Sequence, residues 1–94
     1  MVTHTLNFPL PDGMQAKSAS EITNYFRNFD GECHILYKTT EANAKSIISL
    51  LSTEIAGGSE VTLRIDSEQS QADMDRFVNF LHALAIEAQD TTSA

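Results

Sequence analysis

The apolar residues of this chain switch repeatedly between a spacing of two and a spacing of three to four, and that alternation limits the fold more than any motif does. Val2, His4, Leu6, Phe8 and Leu10 fall on one face, with Thr3, Thr5 and Asn7 on the other. This is the pattern of a half-buried strand, brought to an end by Pro9 and Pro11-Asp12-Gly13. From Ala16 the spacing lengthens: Ala19, Ile22, Phe26 and Phe29 share a helical face, and Asp30-Gly31 closes it. Cys33, Ile35 and Tyr37 alternate again, a short strand over Thr40 to Asn43 follows, and Ile47, Leu50 and Leu51 return to helical spacing, running toward a helix-ending turn at Gly57-Gly58. Val61, Leu63 and Ile65 mark a fourth strand within Glu60 to Asp66. Ser70 and Asp73 read as an S-x-x-D cap ahead of Met74, Phe77, Val78, Leu81, Leu84 and Ala85.

The order β-α-β-β-α-β-α with short connections predicts an α+β fold, a four-stranded antiparallel sheet with three helices on one face and water on the other. Residues 1–88 are expected to form the domain, and Gln89 to Ala94, which lack periodicity, a flexible C-terminal tail. Six basic residues against thirteen acidic ones give a net charge of −7, which disfavours direct binding to nucleic acid or to an anionic membrane. A lone cysteine makes no internal disulfide, and no apolar run approaches the roughly 20 residues that span a bilayer, so a cytoplasmic protein is expected.

Conventional catalytic groupings are missing from the sequence. His4, His34 and His82 are scattered over two strands and a helix, and Cys33 and His34, as neighbours in a strand, point to opposite faces. No His, Cys or carboxylate spacing suits a metal, and no glycine-rich phosphate loop follows a strand. Two helix starts are more informative. At Gly13 to Ala19, open backbone N–H groups at Gln15 and Ala16, with the charge of Lys17, could hold an anion or a partner, or could be an ordinary solvated helix start. At Asn43 to Ile48, the Ser46 hydroxyl either caps the helix or accepts a phosphoryl group beside Lys45.

Gly13 to Ala19, Asn43 to Ser52 and the order of elements together resemble the HPr family, the small phosphocarriers of the bacterial sugar phosphotransferase system. The likeness runs from about Val2 to Leu84. It implies an HPr-like open-faced sandwich that is not itself an enzyme and carries no cofactor or metal. In the family's first-helix motif, a histidine receives a phosphoryl group from enzyme I; here Gln15 stands at that position, Lys17 at the following arginine and Ser18 at the following proline. An amide nitrogen has its lone pair delocalised into the carbonyl and is no nucleophile, so the resemblance implies a protein unable to relay phosphoryl groups through Gln15.

The segment Asn43-Ala44-Lys45-Ser46-Ile47 matches the family's regulatory serine, the target of HPr kinase/phosphorylase, with Ser46 as the serine. Glutamine for histidine with the serine retained is the pattern of the catabolite-repression branch, Crh. The resemblance therefore implies protein partners, the kinase and a CcpA-like regulator, in carbon catabolite control. It also implies a docking surface from Met14, Ile47, Ile48 and Leu51. Helical spacing leaves Ile47 and Leu51 open to burial, whereas Ile48 and Met14 are expected to be exposed. Two other uses fit the same residues: an unmodified competitor or adaptor for HPr partners, and a small anion-binding domain centred on Gln15 to Lys17.

Overall fold

In the computed structural model, which describes the backbone of residues 1–93 and the side chains of residues 1–88, the expected order of elements is present throughout. Strands β1 (Val2–Asn7), β2 (Glu32–Tyr37), β3 (Thr40–Asn43) and β4 (Glu60–Asp66) form one antiparallel sheet in the order β1-β4-β2-β3. Helices α1 (Ala16–Tyr25), α2 (Ile47–Leu51) and α3 (Ser70–Ser93) cover one face.

The register stacks the period-two residues. Cys33 lies opposite Ile65 and Ile35 opposite Leu63, and all four are fully buried. Each such aliphatic side chain contributes roughly 1.5–3 kcal/mol on leaving water. Ala19, Ile22 and Phe26 of the first helical segment meet Met74, Phe77 and Leu81 of α3 in the same core, where the Phe26 and Phe77 rings sit edge to face at 4.7 Å. On the opposite face of the sheet, Thr5 and Thr62 share a hydrogen bond of 3.0 Å, and Arg64 pairs with Glu41 at 2.7 Å. That face is wet, as its alternation required.

Four local expectations are revised. His4 has the inward parity of Val2 and Leu6 but is exposed, because β1 is an edge strand that, among the described residues, pairs only with β4. The helix α2 ends at Ser52, well before the two glycines. Gly57 is required by close packing instead: a Cβ there would lie 2.1 Å from the Pro11 carbonyl oxygen. Ser70 and Asp73 do not form the expected cap. Ser70 Oγ donates to the Ser67 carbonyl and receives the Ser67 N–H, and Asp73 accepts from the Ser67 hydroxyl at 2.6 Å, so Ser67 is the pivot of the turn into α3. Finally, α3 continues as backbone helix to Ser93, beyond the point where its apolar spacing stops; Ala94, at the end of the expected tail, lies outside the described residues.

Candidate functional site

The start of α1 is fixed from below by a glycine. Gly13 has φ of +73°, and a Cβ there would stand 2.2 Å from the Ile55 carbonyl oxygen, which accepts the Met14 N–H at 2.8 Å. Gln15 is the N-cap residue, with extended backbone. Its N–H donates to Ser18 Oγ at 2.9 Å, and its side-chain Nε2 donates to the Asp12 carbonyl at 3.2 Å. A serine three residues into the helix thus satisfies a backbone donor of the cap, which a proline side chain has no atom to do. Gln15, Ala16 and Lys17 are all exposed, as a docking surface requires.

The start of α2 is a hydroxyl cap. Ser46 Oγ accepts the Ser49 N–H at 3.2 Å, and Ser49 Oγ in turn accepts the Asn43 N–H at 2.9 Å. Capping, one of the two roles open to Ser46, is therefore realised; the hydroxyl is half-buried in that role. Lys45 does not reach toward α1's start. Its Nζ donates to the Phe29 carbonyl at 2.8 Å and lies 6.0 Å from the centre of the Phe29 ring.

These contacts separate the two helix starts. Phe29 lies beyond the C-terminal end of α1, whereas Met14, at its N-terminal end, bonds to Ile55 just after α2. The two helices pack together and run in opposite directions. Lys17 and Lys45 therefore stand toward opposite ends of a 10-residue helix, about 15 Å long at 1.5 Å per residue, and make no shared anion site.

Between them lies an apolar surface. Ile48 is 80% exposed, with Ile47 at 41% and Leu51 at 36%, while Leu50 carries the inward face of α2 alone. Burial of Ile47 and Leu51, open on spacing, is not realised. The expectation for Met14 is corrected: it is only 7% exposed, drawn into the core by the backbone bond to Ile55, and takes no part in an exposed patch. Among the described residues no cluster of His, Cys, Asp or Glu could hold a metal, and no helix is long and apolar enough to cross a membrane. Cys33 is buried at the centre of the sheet, and that burial pushes its thiol up to about 12.

Residues 2–83 match the family model described as the PTS HPr component phosphorylation site. The chain belongs to the HPr family. The HPr-like protein Crh of Halalkalibacterium halodurans is 31% identical over 81 residues, which is 86% of this chain and 96% of that protein. The histidine-containing phosphocarrier protein of a mycoplasma superposes with a TM-score of 0.81 over 89% of this chain and 96% of its own, at 19% identity, a likeness of fold. The crystal structure of Bacillus subtilis Crh superposes with a TM-score of 0.68 at 26% identity, covering 88% of this chain and 95% of its own. This HPr-family chain is thus close to Crh, and its fold is the family's open-faced sandwich.

Sequence reasoning missed two features of the site. Ser49, the second half of the α2 latch, was hidden because its hydroxyl works on Asn43, six residues earlier and in another element. The acidic surroundings of Lys17 were hidden too. Asp12, Glu21 and Glu87 line the same shallow groove, and Glu87 comes from α3.

Proposed function

We propose that this HPr-like protein is a non-catalytic regulator of the bacterial phosphotransferase and carbon catabolite control system, docking on protein partners and relaying no phosphoryl group through residue 15. The observation that supports it is the state of Gln15. It stands where the family resemblance puts the phosphorylatable histidine, and it serves as a helix cap, its backbone N–H on Ser18 and its amide on Asp12. An amide in that role positions a surface and offers no lone pair to phosphorus.

Ser46 is the switch in this reading. A phosphoryl group on its oxygen adds about −1.5 to −2 charges at pH 7 next to Ile47 and Ile48, the most exposed apolar pair of α2. That changes which partners the face accepts, with no need to refold the domain. HPr kinase/phosphorylase would install it and a CcpA-like regulator would read it, in the cytoplasm.

The test has two arms on the full chain. With enzyme I and labelled phosphoenolpyruvate, the protein should acquire no label; with HPr kinase/phosphorylase and ATP, intact mass should show one phosphoryl group, absent from Ser46→Ala. Label transfer from enzyme I to the wild type would sink the non-catalytic reading, and an unmodified mass after kinase treatment would remove the switch. The unmodified-competitor reading draws on the engaged state of Ser46 and Lys45, both already bonded within the fold. It requires equal binding of wild type and Ser46→Ala to an HPr partner before and after kinase treatment.

A further inference from the structure

The groove beside Gln15 has a floor of aliphatic carbon, from Leu10 at the start of the loop and Leu84 and Ala88 on α3. Its volume is about 120 Å³. Small-molecule pockets run to about 300–1,000 Å³, so this opening suits one inserted side chain and not a metabolite. The rim carries the carboxylates of Asp12, Glu21 and Glu87 against the single ammonium of Lys17. A helix start with a lysine would by itself favour an acidic partner, but here the formal charge around the groove is negative.

We propose that this groove receives an arginine or lysine side chain presented by a protein partner. The methylene stem would lie on Leu84 and Ala88, and the charged head would reach the carboxylate rim. Charge complementarity selects the occupant: a phosphoryl group or an acidic side chain meets three like charges there. One wall, formed by Leu84, Glu87 and Ala88, comes from α3. The inference goes beyond the regulatory reading and does not depend on whether Ser46 is modified.

The full-length protein, labelled with nitrogen-15, tests this by titration with three blocked tripeptides: acetyl-Gly-Arg-Gly-amide, the same peptide with citrulline, and the same peptide with glutamate. The arginine peptide should move the amide resonances of Glu21, Leu84, Glu87 and Ala88, with movement falling as salt is raised. Citrulline and glutamate should leave them in place. Glu21→Gln with Glu87→Gln should weaken the arginine peptide about tenfold, the size expected for two partly exposed charge pairs, while Lys17→Gln should strengthen it. The proposal is overturned if the glutamate or citrulline peptide acts as well as arginine, if the arginine peptide moves residues elsewhere, or if nothing moves. An unfolded double variant would leave the Lys17→Gln comparison to decide.

Discussion

Replacing Ser46 by alanine should destabilise the fold even in a protein that has never met a kinase. α2 is five residues long, far below the roughly 12–15 residues at which a helix begins to sustain itself, so its geometry depends on what ties down its ends. The Ser46 side chain supplies the acceptor for Ser49 N–H at 3.2 Å. Loss of an N-cap hydroxyl costs about 0.5–2 kcal/mol, and a bond at the long end of the N–H···O range belongs in the lower half, about 0.5–1 kcal/mol. For a chain of this size that lowers Tm by roughly 2–8 °C. Ser46→Asp keeps an acceptor and places a negative charge at a helix N-terminus, so it should stay within about 0.5 kcal/mol of the wild type. Urea denaturation followed by circular dichroism, with calorimetry for Tm, measures both. The reasoning fails if Ser46→Ala is as stable as the wild type, or if Ser46→Asp falls as far as Ser46→Ala. A binding comparison using Ser46→Ala as the phosphorylation-dead form must therefore be made well below the Tm of the weaker variant.

The apolar residues of α2 and its surroundings should divide by burial. Ile48→Ala should change stability by less than about 0.5 kcal/mol yet weaken binding to an HPr partner, whereas Leu50→Ala and Met14→Ala should each cost about 2–5 kcal/mol in denaturant unfolding. Cys33 should resist a thiol reagent at pH 8 in the native protein and react at once on unfolding, read by absorbance. Because burial raises its folded value from 9.0 to about 12, its contribution to stability is fully present below pH 9 and is lost as pH rises toward 12. Unfolding free energies measured across pH 8–11 should fall in the wild type and fall less in Cys33→Ala.

The elements that bury one face were legible because burial writes itself into spacing. Val61, Leu63 and Ile65 could be placed in the core from their alternation, as could Ala19, Ile22 and Phe26 from theirs. Met14 was misplaced because it sits between elements, where no periodicity applies and a single backbone bond to Ile55 decides its depth. His4 was misplaced because parity states which face a side chain takes and not whether a neighbour covers it. The site divides the same way. Gln15 and Ser46 were visible as helix starts, since capping is local chemistry. The opposite directions of α1 and α2, and the acid that α3 brings beside Lys17, arise from contacts between distant segments that no local window contains.

The sheet order carries a consequence for how the molecule is made. β1 holds residues 2–7, and its sole partner in the sheet among the described residues, β4, holds residues 60–66. At about 5–20 residues per second, a growing chain leaves the first strand without its partner for roughly 3–12 s. Pairing of such separated segments must overcome loop-closure entropy before any contact rewards it, and slows folding accordingly. Helix α1 and the β2–β3 hairpin, by contrast, can form from what has already emerged. This edge strand of the finished sheet is thus synthesised well before the strand that secures it, and during that interval its hydrogen-bonding groups are open to another chain.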